Sequence, residues 1–268
     1  MVKEYYAQSA EYEWKRLVKE AYHRLEFDTT MFFLKKYLPK KGLILDAGGG
    51  PGRYTIELAK KGYDVILLDL VKENLELAKK QIKKARVEKK VKEIVQGDIR
   101  NLSRFKDNTF DAVLCLGGPL SHIKGNKQRE KAISELIRVA KPKAPIFISV
   151  FGKFGCLSLA PAGWPNEIEL TKHFKRFVKT GEDYLWKGNY YAHYFTPEEL
   201  REVFTRKNFR LIQMAGLEGL ATPNIKAINE LAKNKKAWKN WLDMHYKLCT
   251  HPVVVGISVH ILVIGRKI

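Results

Sequence analysis

Between residues 43 and 150, short apolar runs alternate with lysine-rich amphipathic stretches, and few folds accept that alternation. Runs at 43–45, 64–69, 91–96, 112–116 and 146–150 have the length of buried strands. The stretches between them, 53–61, 73–86 and 128–140, repeat their apolar residues at helical spacing, as Leu75, Leu77, Ala78 and Ile82 do. Strands alternating with helices predict an α/β, doubly wound, mostly parallel sheet with helices on both faces.

The flanks are less regular. Trp14, Leu17, Val18, Ala21, Tyr22 and Leu25 predict one amphipathic helix over 11–25, and a second over 28–37 stops before Pro39. Residues 151–194 break the alternation with Gly, Pro and many aromatics. At Thr196 the order Thr-Pro-Glu-Glu makes a capping box, so a helix is predicted to Lys207. A strand over 209–214 follows. Residues 217–250 read as irregular and helical, with Trp238, Trp241, His245 and Leu248 on one helix face. Residues 253–264 read as a long closing strand. The expected division is a helical cover (1–41), a main domain (42–150 with 195–268) and an insertion (151–194).

Composition narrows the class. A chain of 268 residues is one elaborated domain or one domain with an insertion. Cys115, Cys156 and Cys249 are scattered, which argues against a disulfide framework or a zinc site and fits a reducing cytoplasm. The charged start does not resemble a secretory signal. The longest apolar run is shorter than the roughly 20 residues of a membrane helix and contains Gly256, Ser258 and His260, so no membrane partner is expected. The net charge of +20 permits nucleic-acid binding, but most of it sits on helical faces, which favours a Lys/Glu-rich surface of the hyperthermophile kind.

The loop after the first strand, ILDAGGGPGRYT, carries the chemistry. A dinucleotide fingerprint needs a third glycine where helix packs on strand, and Arg53 stands there instead. Asp46-x-Gly48-x-Gly50-x-Gly52 resembles motif I of class I S-adenosylmethionine-dependent methyltransferases, small-molecule type. Further elements match in order: Asp69 ending the second strand, GDI at 97–99, FDAVLCLGG at 110–118, the helix and strand in ELIRVAKPKAPIFISV, and the segment 195–220. The chain departs at Lys143-Ala144, where the family often has two glycines.

The resemblance implies a seven-stranded, Rossmann-like methyltransferase fold with a last antiparallel strand and a lid insertion. It implies S-adenosylmethionine as cofactor, S-adenosylhomocysteine as product and no metal. Asp46 would help to hold the methionine amino group. Gly48, Gly49 and Gly50 would let the backbone approach the cofactor. Asp69 would accept from the ribose hydroxyls, with Leu70 flanking the adenine. Asp98 would accept from the adenine amino group, Ile99 would pack on the ring, and Leu116 would line the cleft. The plainer alternatives are that Asp69 simply caps the next helix and that Asp98 is a turn residue, but the place of Asp69 at a strand end beside the glycine loop favours the ribose role. His122, after the fourth strand, is the first candidate base or acceptor contact, and equally a helix-start histidine. His193 is the weaker candidate. One of Tyr5, Tyr6 and Tyr12 is expected over the cofactor. The aromatics of 151–195 form either an acceptor pocket or a mini-core or dimer interface. The enzyme is a monomer or homodimer.

The expected reaction is direct displacement onto an O or N atom of a small molecule. The alternative is an RNA methyltransferase that uses Lys79, Lys80, Lys83, Lys84, Arg86, Lys89 and Lys90 along a phosphate backbone. The family's base-methylating motif after strand four does not match Leu116-Gly117-Gly118-Pro119-Leu120, and Cys115 lacks the proline neighbour of a cytosine nucleophile.

Overall fold

The computed structural model describes residues 2–187 and 189–268. Helix α1 (Val2–Arg16) and helix α2 (Ala21–Tyr37) precede strand β1 (Leu43–Ala47). Then come α3 (Arg53–Lys60), β2 (Asp64–Asp69), α4 (Lys72–Lys84), β3 (Val91–Gln96), β4 (Ala112–Cys115), α5 (Asn126–Val139) and β5 (Pro145–Phe151). The expected insertion holds α6 (Lys153–Gly163), α7 (Pro165–Glu169), α8 (Thr171–Thr180) and the hairpin β6 (Glu182–Trp186) with β7 (Tyr190–His193). The main body resumes with α9 (Pro197–Thr205), β8 (Phe209–Gly216), α10 (Ile225–Leu231), α11 (Lys235–Leu248), α12 (Pro252–Gly256) and β9 (His260–Lys267).

The main sheet has seven strands in the order β3-β2-β1-β4-β5-β9-β8. The first five are parallel, and β9 runs antiparallel between β5 and β8. The expected sheet and its reversed last strand are therefore present. The chain runs outward through β1, β2 and β3 and then crosses back to β4 on the other side of β1, so the strand order reverses there and a crevice opens at the carboxyl ends of β1 and β4, where ligands of open α/β sheets bind. Of the parallel strands, β1, β2, β4 and β5 are buried on both faces, with Ile44, Leu45, Val65, Leu67, Val113 and Leu114 fully inaccessible, while the edge strand β3 exposes Lys92, Glu93 and Gln96. Thr196 caps α9 as the motif predicted, its hydroxyl accepting from the Glu199 amide at 3.2 Å.

Three expectations needed correction. The helix over 11–25 is two helices broken at residues 17–20, because Leu17 turns into the core and Arg16 turns back onto Glu26. Helix α2 is no detached cover, since Phe33 and Leu34 pack with Ile44, Leu58 and Leu114 in the main core. The run 253–264 is not one strand. Pro252 stands at the first position of α12, the His251 ring accepts from the Val253 amide at 3.3 Å, and β9 starts only at His260. The lysine-rich run of α4 lies on its exposed face, and Lys90 beyond it pairs with Asp64 at 3.3 Å.

Candidate active site

The glycine loop is built by close approach. Gly48 and Gly49 donate to the Leu68 carbonyl at 2.6 and 3.2 Å, which folds the loop over the end of β2. Gly48 has φ +76°, and a Cβ there would meet the Pro119 ring at 2.5 Å. A Cβ on Gly49 would meet the Asp46 carboxylate at 2.5 Å and Leu67 at 2.6 Å. These glycines are thus fixed from below by packing, while their upper side faces a cleft of about 750 Å³. A Gly48→Ala variant is expected to bind S-adenosylhomocysteine at least about tenfold more weakly at near-native fold, read by calorimetry, because the loop must move to relieve the clash.

The cleft is lined by Gly48–Gly50, Asp69, Leu70, Asp98, Ile99, Leu116 and His122, so nearly all the expected site residues meet in one place. Asp69 is almost fully buried. Its Oδ2 accepts from the Gly50 amide at 2.8 Å, and its Oδ1 accepts from the Val71 amide at 2.9 Å and the Asn74 amide group at 3.3 Å. It therefore ties loop, strand and helix start together, which is the capping role expected of it. A carboxylate has about four acceptor sites, so capacity remains for a ligand hydroxyl. Burial raises its carboxyl above the usual range, against the three donors. Asp98 is held by Arg100, whose Nε lies 3.0 and 2.9 Å from the two oxygens. Burial raises the Asp98 carboxyl but the Arg100 hydrogen bonds outweigh it, and the net shift is downward. Leu70 is 42% exposed and Ile99 buried, so they differ as the two sides of a flat-ring slot would.

Asp46 and His193 stand apart from this group. Asp46 is fully inaccessible beneath the loop and does not line the cleft. Its Oδ2 accepts from the Thr55 hydroxyl at 2.6 Å, and its Oδ1 is buried without a partner. Burial raises its carboxyl to about 6. His193 is buried away from both cavities: its Nε2 meets Glu199 at 2.7 Å and its ring packs edge-on to Phe195 at 4.5 Å. It fastens β7 to α9 and has no access to a reacting atom.

His122 faces the cleft in a defined tautomer. Its Nδ1 lies 3.2 Å from the Tyr191 carbonyl, which can only accept, so Nδ1 carries the proton. Its Nε2 then accepts from the Tyr6 hydroxyl at 2.9 Å. Trp186 and Phe151 pack against the ring at 4.5 and 5.2 Å. Burial lowers its pKa to about 4. A histidine kept neutral by the fold takes its proton on unfolding, so stability falls as pH is lowered from about 6.5 to about 4, by up to about 3 kcal/mol. His245 is held at about 4 in the same way and shares this sign, whereas Asp46 has the opposite one. The His122→Asn variant is expected to lose less thermal stability than the wild type between pH 7 and pH 4.5 in scanning calorimetry.

Of the N-terminal tyrosines, Tyr6 alone lines the cleft; Tyr5 packs on Trp186 at 5.1 Å, and Tyr12 is 43% exposed. Helix α1 is pinned across the cleft by Arg53, whose guanidinium stacks 3.7 Å over Trp14 and donates to the Trp14 carbonyl. A second cavity of about 450 Å³ lies beyond Tyr6. Tyr6, Glu13, Arg16 and Gly117 line both cavities and mark their junction. The aromatics of the insertion divide between the two expected roles. Phe177 packs a mini-core with Cys156 and Ala192, while Phe151, Trp164, Trp186 and Tyr194 also face the second cavity.

Behind the junction lies a buried charge network that sequence reasoning missed. Arg16 donates to Glu13 at 3.0 Å and to Glu26 at 2.5 and 3.2 Å. His260 donates from Nδ1 to Glu218 at 2.5 Å and stands 3.7 Å from Glu26. Burial raises the Glu26 carboxyl, but Arg16 and His260 outweigh it and hold it at about 2. The only sequence signal was a histidine inside an otherwise apolar strand.

Comparison with known proteins agrees with this geometry. A family described as "Methyltransferase domain" matches residues 44–143. YqeM of Bacillus subtilis (strain 168), provisionally named a methyltransferase, is 25% identical over 203 residues, spanning 69% of this chain and 80% of that one. The glycine/sarcosine N-methyltransferase of Halorhodospira halochloris is 30% identical over 119 residues, 44% of this chain and only 43% of that enzyme's length. The ubiquinone biosynthesis O-methyltransferase of Rickettsia prowazekii (strain Madrid E) is 25% identical over 222 residues, covering 80% and 73% of the two chains. A S-adenosylmethionine-dependent methyltransferase structure from Methanosarcina mazei superposes with a TM-score of 0.60 over 88% of this chain and 97% of that one, at 23% identity, and shares the fold. Residues 44–143 thus belong to a methyltransferase-domain family, and the chain shares the fold of S-adenosylmethionine-dependent methyltransferases.

Proposed function

We propose that the chain transfers a methyl group from S-adenosylmethionine to an O or N atom of a small molecule. The observation that carries this reading is the junction of two cavities at Tyr6, Arg16 and Gly117: one cleft is built on the glycine loop and Asp69, the other is lined by aromatics.

The residues of the cleft fit the cofactor. The glycine loop presents bare backbone, Asp69 has acceptor capacity toward two ribose hydroxyls, and Leu70 and Ile99 flank a slot beside Asp98 for an adenine. Asp46, shut beneath the loop, acts on the methionine amino group only through the loop it supports. The cofactor supplies an electrophilic methyl on a sulfonium, which a nucleophile displaces directly. The protein's task is then alignment across the junction, an orientation effect, and no metal is needed. Gly117, with φ +79° and open space where a Cβ would stand, leaves the passage between the cavities clear. Because Tyr6 occupies the lone pair of His122, the pair works as a unit: an acceptor hydroxyl would donate to the Tyr6 oxygen while His122 takes the Tyr6 proton. The helices and hairpin of 151–194 are the lid over the acceptor.

Relatives named for O- and N-methylation of small molecules support the acceptor class. The basic face of α4 has no observation linking it to RNA. No helix among the described residues is long and apolar enough to cross a membrane, and the three cysteines are free and buried, which supports a cytoplasmic enzyme. Titration with S-adenosylhomocysteine tests the reading: a ligand that binds only the fold must raise its melting temperature, by an amount set by concentration over Kd. No rise at millimolar ligand would refute it.

A further inference from the structure

The chain carries a net charge of +20, yet two carboxylates line its second cavity with no lysine or arginine paired to them among the described residues. Glu167 on α7 and Asp183 on β6 both line that cavity. Asp183 is 1% exposed and accepts from the Leu185 amide at 2.7 Å, which fixes its carboxylate. The other charged groups of the cavity are accounted for. Arg16 belongs to Glu13 and Glu26, His260 to Glu218, and His23 to Glu20 at 2.8 Å. Lys187 is exposed at the rim. Behind the carboxylates stands His173, about nine-tenths buried, whose Nε2 lies 3.6 Å from Glu167 and 3.6 Å from Asp183 and has no hydrogen-bond partner. Burial raises the carboxyls of both Glu167 and Asp183; the Asp183 charge adds to the rise at Glu167, while at Asp183 the Leu185 amide and His173 oppose burial without overcoming it.

Two occupants would relieve that repulsion, a metal ion or an organic cation. A metal would need the Nε2 lone pair of His173. Arg176, which can only donate, lies 3.3 Å from His173 Nδ1, so Nδ1 accepts and Nε2 carries the proton. With its Nε2 protonated, His173 has no lone pair for a metal and leaves the two carboxylates as the acceptors that face the cavity, a set that an ammonium can use. The surrounding walls agree, because Trp164, Trp186 and Tyr194 offer ring faces to the same cavity.

We propose that the second cavity takes an acceptor bearing a protonated amine, whose ammonium donates to Glu167 and Asp183 while its carbon frame packs on Trp164, Trp186 and Tyr194. This rests on reading the cavity as the acceptor site. The anchored ammonium has no lone pair and is not the atom methylated; the nucleophile is a second atom of the same molecule. Trp186 sets the separation. It belongs to the same strand as Asp183, three residues on, and its ring reaches His122 at 4.5 Å on the cofactor side. The amine and the nucleophile are thus about one tryptophan residue apart.

The test is calorimetric titration of 2-phenylethylamine, 2-phenylethanol and phenylacetate into the protein, with and without saturating S-adenosylhomocysteine. The amine is expected to bind at least about tenfold tighter than the alcohol, and phenylacetate weakest. Glu167→Gln is expected to remove about tenfold of the amine's affinity. Asp183→Asn should act in the same direction, with S-adenosylhomocysteine affinity in both variants as the check on folding. Equal or tighter binding of the alcohol or the acid would overturn the proposal. So would no amine binding, amine affinity untouched by Glu167→Gln, or a Mn²⁺ site abolished by that variant. Failure of S-adenosylhomocysteine to bind would instead strike the methyltransferase reading, while the cofactor-free titrations still decide the amine site.

Discussion

An Asp69→Ala variant is expected to lose at least about 100-fold in affinity for S-adenosylhomocysteine and about 2 kcal/mol of stability. Both losses have the same source. The carboxylate accepts from Gly50, Val71 and Asn74, so its removal leaves donors of the loop and of the α4 start without partners in a nearly closed site. It also removes the two charge-assisted hydrogen bonds proposed to the ribose. Part of the stability loss is returned, because an anion is no longer held out of water. Asp69→Asn separates the two effects. It keeps a side-chain oxygen for Val71 or Gly50 and recovers most of the melting temperature, but it cannot accept from two hydroxyls with a full charge. Calorimetric Kd and melting temperature, measured on both variants, check the pair. Wild-type affinity in either variant would remove Asp69 from the ribose site.

The largest effect on stability is expected away from the cleft, at Glu218. Its Oε2 accepts from the Ser258 hydroxyl and the His260 amide, each at 2.9 Å, and its Oε1 accepts from the His260 ring at 2.5 Å. Removing one partner of a buried charged network strands the others, at about 3–5 kcal/mol. Glu218→Ala should therefore lower the melting temperature by about 10 °C or more in a chain of this size. Burial lowers the His260 pKa, but Glu26 and Glu218 outweigh it, and the folded value is raised. The stability that His260 contributes is thus full below its unfolded value near 6.5 and is lost as pH rises through the folded value. The melting-temperature gap between wild type and Glu218→Ala should accordingly be wider at pH 6 than at pH 9. The same gap at both values would mean that His260 is not charged in the fold.

Most of the sheet was readable because β1, β2, β4 and β5, buried on both faces, leave nearly continuous apolar runs that differ from the lysine-faced helices between them. The cleft was readable because its residues are consecutive in sequence or stand at strand ends. Elsewhere the pattern misled for specific reasons. Val253, Val254 and Val255 look like a strand because a short apolar run has no period of its own. Pro252 behind a capping His251 makes the run a helix instead. Leu17 and Val18 continue the spacing of α1, so the break shows only in tertiary contacts, Leu17 in the core and Arg16 on Glu26. His193 shares its histidine chemistry with His122, but Glu199, six residues on, claims it. The second cavity was invisible as a cavity: Arg16, Glu26, Glu218 and His260 meet from distant parts of the chain, and the carboxylates of Glu167 and Asp183 sit in an aromatic-rich stretch where no motif marks them.

The central claim is methyl transfer to a small molecule across the junction of the two cavities. Its most direct test is incubation of the protein with methyl-labelled S-adenosylmethionine and a cell extract separated into low-mass, RNA and protein fractions, with and without RNase. The account predicts label in the low-mass fraction, indifferent to RNase and lost with Asp69→Ala. Label confined to RNase-sensitive material, or low-mass label undiminished by Asp69→Ala, would contradict it.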